Sequence, residues 1–169
     1  MFNTRSKRRI KLFGLTEGMI VVDYACGSGQ YALEYAKIVG KNGKIYAIDI
    51  DQNAINETQE RIKAASINNI EVRLAHQYDS TLESSVADVV TALDVLAFIE
   101  NPTDFFIELG RICKPNGILI IDNDHLPRKK AKEIIMKSNI WEVIEDLKDH
   151  MKCKKQLTVS NIQRNINYD

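Results

Sequence analysis

Residues 20–31, Ile-Val-Val-Asp-Tyr-Ala-Cys-Gly-Ser-Gly-Gln-Tyr, read as a short apolar strand, an acid at its end, a glycine turn and the opening of a helix. Val21 and Val22 are strand formers, and Asp23 closes the run. Gly27, Ser28 and Gly29 make a turn that demands little steric room. From Tyr31 onward the composition is helical, with Tyr31, Leu33, Tyr35, Ala36 and Val39 as apolar positions and Gly40 as the stop. A strand that feeds a helix through glycines lets a ligand lie against bare backbone above a helix N-terminus. The turn also fits G-x-G-x-x-A through Gly27, Gly29 and Ala32, a pattern that many nucleotide binders share.

Two acids sharpen the reading. Asp23 stands four residues before Gly27, and Asp49 ends the next strand-like run, KIYAID, twenty-two residues after it. That spacing suits an acid at the second strand tip that accepts from both ribose hydroxyls.

In DYACGSG and AIDID the chain resembles the class I S-adenosylmethionine-dependent methyltransferases, whose signature is D-x-x-C-G-x-G with an acid after strand two. The resemblance extends through ADVVTALDVLAFIENPTDFFIELGRICKPNGILIID to Asp122 and covers about three quarters of the chain. It implies a small, single-domain methyltransferase with S-adenosylmethionine as cofactor. In that setting the backbone of Ala25, Gly27, Ser28 and Gly29, with Gln30, approaches the ribose and methionyl chain. Asp23 then helps to hold the amino group, directly or through water. Asp49 accepts from the ribose hydroxyls, and Ile50 and Leu93 wall the adenine. Where the family commonly carries G-D-x after strand three, this chain has AHQYD. His76 or Gln77 therefore stands at the adenine position, with Asp79 close enough to reach back.

At 169 residues the chain has the size of one domain, with a basic amphipathic leader over 1–16, a polar, loosely held tail over 158–169 and no room for a separate substrate domain. No apolar run approaches the ~18 residues that cross a bilayer, and no signal-peptide core follows Met1. Three cysteines without framework spacing fit buried thiols in a reducing cytoplasm. Basic residues outnumber acidic ones eight to three up to Tyr46 and ten to six beyond Leu126, whereas acids lead fourteen to five between them. The basic arm RSKRRIK invites a phosphate backbone, but no aromatic residues interleave it to stack on bases. The simpler reading is the start of an amphipathic helix with Ile10, Leu12, Phe13 and Leu15 facing the core.

The rest alternates strand and helix. Ile45–Asp49 is strand two, and Asp51 caps a helix to about Ser66. Ile70–Ala75 alternates, as at a sheet edge, whereas Val86–Leu93 and Ile118–Ile121 are continuous apolar runs suited to central parallel strands. Asn101-Pro102 opens a helix and Pro115-Asn116-Gly117 ends that unit. A basic helix follows Pro127, and Trp141–Leu147 and Met151–Leu157 pair antiparallel across Lys148-Asp149-His150. The fold class is thus an α/β, Rossmann-like, doubly wound sheet, and the resemblance makes it seven strands with a C-terminal antiparallel hairpin.

Ligands in such sheets bind at the carboxyl ends of the strands, where Asp23, Asp49, His76, Asp94 and Asp122 gather. Asp94 and Asp122 are the candidate catalytic residues, with Asp124 and His125 near them. Metal-dependent catechol-type O-methyltransferases hold Mg²⁺ with an acid after strand four and an Asp-Asn pair after strand five, and Asp94 with Asp122-Asn123 resembles that set. Asp94 follows Asp88 by six residues where those enzymes use five, and a one-residue slip turns a side chain to the other face, so no metal site is assigned. Two readings from other classes stay open: a nicotinamide oxidoreductase, and a non-catalytic module of the same fold. TALDVLAF stands where amino-methylating DNA enzymes carry N-P-P-Y, which disfavours DNA. An open acceptor site admits a small molecule or a protein side chain, in a monomer or a homodimer.

Overall fold

Central strands that are apolar on both faces require cover on both sides, and the helices supply it. The computed structural model describes residues 4–156. In chain order the elements are α1 (Thr4–Lys11), β1 (Ile20–Tyr24), α2 (Gln30–Val39), β2 (Lys44–Asp49), α3 (Gln52–Ala65), β3 (Ile70–Leu74) and β4 (Ala87–Ala92). A short 3-10 turn at Leu96–Phe98 precedes α4 (Pro102–Ile112), β5 (Cys113–Ile121), α5 (Arg128–Lys137), β6 (Trp141–Leu147) and β7 (His150–Lys155). The strands form one sheet in the order β3-β2-β1-β4-β5-β7-β6. All pairings are parallel except those of β7, which runs antiparallel to both β5 and β6. The order reverses direction between β1 and β4, and this opens the crevice at their carboxyl ends.

Pairing across β1 and β2 sets Asp23 beside Ala47 and Tyr24 beside Ile48, so the turn after β1 lies level with Asp49. One face of the sheet packs Val21, Ala47, Val89 and Ile120 against Ile10, Phe13 and Tyr35. The other packs Val22, Tyr24, Val90 and Leu119 against Phe105, Phe106, Ile135 and Trp141. Trp141 is fully buried and donates its indole N–H to the Phe106 carbonyl at 3.2 Å. β3 is half-buried along its whole length, as its alternating sequence leads one to expect of an edge strand.

The local signals hold where short-range chemistry decides. Asp51 caps α3 by accepting from the Asn53 N–H, and Asn101 caps α4 ahead of Pro102. Two expectations need correction. Pro115-Asn116-Gly117 does not separate α4 from its strand, because β5 begins at Cys113, directly after the helix. The extra residues are taken up in a bulge opposite Ala87–Val89, where Gly117 sits so close that a Cβ would come within 2.9 Å of the Asp88 carbonyl. Leu12 is exposed, since α1 stops at Lys11 and turns it outward while Ile10 and Phe13 go into the core. The polar tail over 158–169 lies outside the described residues. Cys26, Cys113 and Cys153 are free and buried, and no described helix is long and apolar enough to cross a membrane.

Replacing Trp141 with alanine empties a fully buried site and removes the indole hydrogen bond to the Phe106 carbonyl. The expected cost is about 3–5 kcal/mol in urea unfolding followed by circular dichroism. A loss below about 1 kcal/mol contradicts the packing role of the final hairpin.

Candidate functional site at the strand tips

The turn after β1 is held from two sides. The Asp49 carboxylate accepts from the Gly27 N–H at 2.8 Å and from the Asp51 N–H at 3.0 Å, one oxygen each. From α3, the Thr58 hydroxyl donates to the Gly27 carbonyl at 2.9 Å. Ala25, Gly27 and Gly29 all have positive φ, at 61°, 52° and 74°. The two glycines differ in what surrounds them. A Cβ at Gly29 would come within 2.6 Å of Thr58, whereas a Cβ at Gly27 would meet only open space. The loop is therefore packed against α3 on one side and bare on the other. Ser28 and Gln30 are half-buried beside it, and the Gln30 amide donates to the Ser28 hydroxyl at 3.4 Å.

Asp23 lies beneath this loop, only 3% exposed. Its Oδ1 accepts from the Thr91 hydroxyl of β4 at 2.9 Å, while its Oδ2 has no hydrogen-bond partner. Burial pushes its carboxyl up to about 7, with the Asp49 charge adding a little and the Thr91 and Ala32 hydrogen bonds opposing. Asp23 thus carries an unpaired buried oxygen under the bare glycine backbone.

Two cavities are lined by residues that follow the strand tips. One, of about 450 Å³, is lined by Ile50, Gln77, Tyr78, Phe98, Ile99 and the start of α4. Ile50 and Phe98 are both largely exposed there. Gln77 has φ 55° in a tight turn closed by reciprocal backbone bonds between His76 and Asp79. The Asp79 carboxylate accepts from the Thr81 N–H, so it caps that turn and does not reach back. His76 is exposed and is not among the residues lining this cavity. Leu93, expected as an adenine wall, is buried in the core on the α2 side; the apolar side chains that share the cavity with Ile50 are Phe98 and Ile99.

The other cavity, of about 440 Å³, is lined by Ser6, Arg9, Tyr31, Asp94, Asp122, Asn123, Asp124, Lys148 and Asp149, an almost wholly polar set. Asp122 is buried and fully engaged. Its Oδ2 pairs with the Arg9 guanidinium at 2.5 Å and its Oδ1 accepts from the Asp94 N–H at 2.9 Å. Arg9 also donates to the Tyr31 hydroxyl at 3.3 Å. Asp94 has φ 58°, a strained conformation for a non-glycine residue that Asp122 holds in place. Although Asp94 meets solvent, lost hydration within the cleft and then the neighbouring Asp122 and Asp124 push its carboxyl up to about 7. Among the described residues no group of three His, Cys, Asp or Glu side chains is placed to hold a metal ion.

Sequence patterns miss Thr58, Thr91, Phe98 and Arg9. Thr91 and Phe98 lie in the stretch that carries the resemblance and Arg9 in the basic arm, but nothing there sets them apart; Lys7, Arg8 and Lys11 of the same arm are exposed.

The comparisons with known proteins decide the family. A model described as "Methyltransferase domain" matches residues 15–167. The chain belongs to that methyltransferase family. It is a class I S-adenosylmethionine-dependent fold, and S-adenosylmethionine is the cofactor to which the site corresponds. The methyltransferase domain is 29% identical over 118 residues to a demethylmenaquinone methyltransferase of Staphylococcus aureus, matching 68% of this chain and 46% of that protein. It is 28% identical over 116 residues to the ubiquinone/menaquinone biosynthesis C-methyltransferase of Hydrogenovibrio crunogenus, again with 46% of that protein covered. The chain thus spans about half the length of these curated relatives. Among solved structures it is similar to a SAM-dependent methyltransferase from Aquifex aeolicus, with a TM-score of 0.77, 25% identity and 87% of each chain covered. The residues present fit the cofactor: bare backbone at Gly27, an orphaned acidic oxygen beneath it, and a carboxylate at Asp49 with lone pairs to spare.

Asp23 gives a pH signature. Its carboxyl is near 4 unfolded and about 7 folded, so it opposes folding increasingly as pH rises through that interval. Asp23→Asn, neutral throughout, should gain about 2 kcal/mol on the wild type between pH 5 and pH 8 in urea melts. Parallel stability curves contradict a buried, unpaired Asp23.

Proposed function

We propose that the chain transfers the methyl group of S-adenosylmethionine to a small polar acceptor, with Asp94 as general base. The observation that carries this reading is the 440 Å³ polar cavity, in which Asp94 stands beside Asp122 and Asp124 with its proton affinity raised into the neutral range.

The cofactor supplies an electrophilic methyl on a sulfonium sulfur. The chain's residues orient and desolvate it. Asp49 offers its remaining lone pairs to the ribose hydroxyls, and the backbone of Ala25, Gly27, Ser28 and Gly29, with Gln30, follows the ribose and methionyl chain. The Asp23 Oδ2 serves the positively charged amino group from below, through a water in the space beneath the loop. Ile50 and Phe98 flank the adenine, with the Gln77 amide as the acceptor that replaces the usual acid. His76 and Leu93 support their loops. An acceptor seated in the polar cavity would have the Asp94 carboxylate at hand to take the proton it loses on methylation. Holding the acceptor's nucleophilic atom in line, about 3–3.5 Å from the methyl carbon, would supply most of the rate.

The relatives are named for demethylmenaquinone and for ubiquinone/menaquinone biosynthesis, but the cavity lining here is almost wholly polar, so a small polar acceptor suits it better than an apolar one. That lining and the small volume also favour a free molecule over a protein side chain, and no feature favours DNA. Free, buried cysteines accord with a cytoplasmic protein.

The test is turnover of S-adenosylmethionine to S-adenosylhomocysteine on a panel of small polar amines, alcohols and carboxylates, alongside NADH titration. Turnover on at least one class, lowered about 10²-fold or more by Asp94→Asn, is expected. Tight NADH binding without S-adenosylhomocysteine binding reverses the assignment, and cofactor binding without any turnover favours a non-catalytic module.

A further inference from the structure

Nothing in the cofactor chemistry calls for an arginine from the N-terminal helix, yet Arg9 is nine-tenths buried against the tip of β5. Its guanidinium meets the Asp122 Oδ2 on one side and the Tyr31 hydroxyl on the other, and its Nε is buried without a partner. Ile10 and Phe13, both 3% exposed, hold the end of α1 and the residues after it against the sheet.

We propose that Arg9 is a positioning residue that fixes Asp122 and, through the Asp122–Asp94 N–H bond, sets the backbone geometry and charge of Asp94. The inference rests on the reading of Asp94 as the base. The chain of contacts is short and each link is directional. Arg9 binds one carboxylate oxygen of Asp122, and the other accepts from the Asp94 N–H. Asp94 is thereby held at φ 58°, a conformation that needs an external restraint. Arg9 also supplies the positive charge that pairs with Asp122 and opposes the upward push on the Asp94 carboxyl. Without it, two adjoining carboxylates share a site that disfavours double ionisation. The charged and titratable groups around Asp94 are Arg9 from α1, Tyr31 from α2, Asp122 and Asp124 after β5, and Lys148 and Asp149 between β6 and β7. Arg9 is the cation among them that pairs with Asp122.

A structural anchor alone would predict only lost stability when Arg9 is changed. A positioning role predicts more. The full chain is labelled with carboxyl-¹³C aspartate for titration and with ¹⁵N for amide exchange, and the Asp94 and Asp122 signals are assigned through Asp94→Asn and Asp122→Asn. In Arg9→Met the pair takes up its first proton at a pH higher than in the wild type, by about half a pH unit or more. In Arg9→Lys, which keeps the charge but loses the planar fork, that midpoint stays near the wild-type value while the Asp94 amide exchanges at least about threefold faster. An unchanged midpoint in a folded Arg9→Met protein overturns the electrostatic link. Unchanged Asp94 exchange in Arg9→Lys overturns the geometric one, and this arm remains decisive if Arg9→Met does not fold. Neither readout requires an acceptor, so the result is separable from the Asp94→Asn turnover test of the base itself.

Discussion

The Asp49 carboxylate, bonded to the Gly27 and Asp51 N–H groups, is the contact on which the site depends. It ties the end of β2 to the loop after β1 and to the entry of α3 in one group. Such a bond with a charged acceptor is worth roughly twice a neutral one. Two backbone donors would otherwise face the crevice unpaired, and three alternate positive-φ positions, Ala25, Gly27 and Gly29, would lose a restraint. Because a carboxylate has about four lone-pair sites, bracing the loop leaves it able to accept from a ligand as well. In the proposed function, loop bracing and cofactor recognition share this one side chain.

Around that brace the acids are sorted by their surroundings. Asp23 is buried with one oxygen unpaired, and Asp94 stands in a polar cleft beside other carboxylates; both are raised to about 7. Asp122, more buried than Asp94, is matched by Arg9 at 2.5 Å. Breaking a buried pair of this kind typically costs about 3–5 kcal/mol, because the remaining charge is stranded. Among the described side chains of the basic N-terminal segment, Arg9 is the cation that turns inward, and Asp49, Asp94, Asp122 and Asp124 from the acidic middle of the sequence stand at or just after the strand tips.

What the sequence made legible was local. Asp51 and Asn101 announce their helices because a cap bonds two or three residues onward, and β3 reveals its edge position through alternation within five residues. The glycine turn and the acid twenty-two residues later pointed to the crevice because a strand–helix–strand unit has little freedom in length. The partners that complete the site are remote. Thr58 reaches Gly27 across 31 residues, Thr91 reaches Asp23 across 68, and Arg9 reaches Asp122 across 113. No periodicity records such contacts. Leu93 was misread for a related reason: an apolar residue at a strand tip suits a ligand wall or the core equally well, and only the sheet order sends it into the core while Phe98 faces the cavity.

The central claim is that Asp49 both braces the glycine loop and binds the ribose. Calorimetric titration of S-adenosylhomocysteine into the wild type and into Asp49→Ala tests it most directly. The account predicts affinity weakened about 100-fold, equivalent to one or two charge-assisted hydrogen bonds and a loosened loop, with the fold retained by circular dichroism. Affinity within twofold of the wild type in a folded Asp49→Ala protein would contradict it.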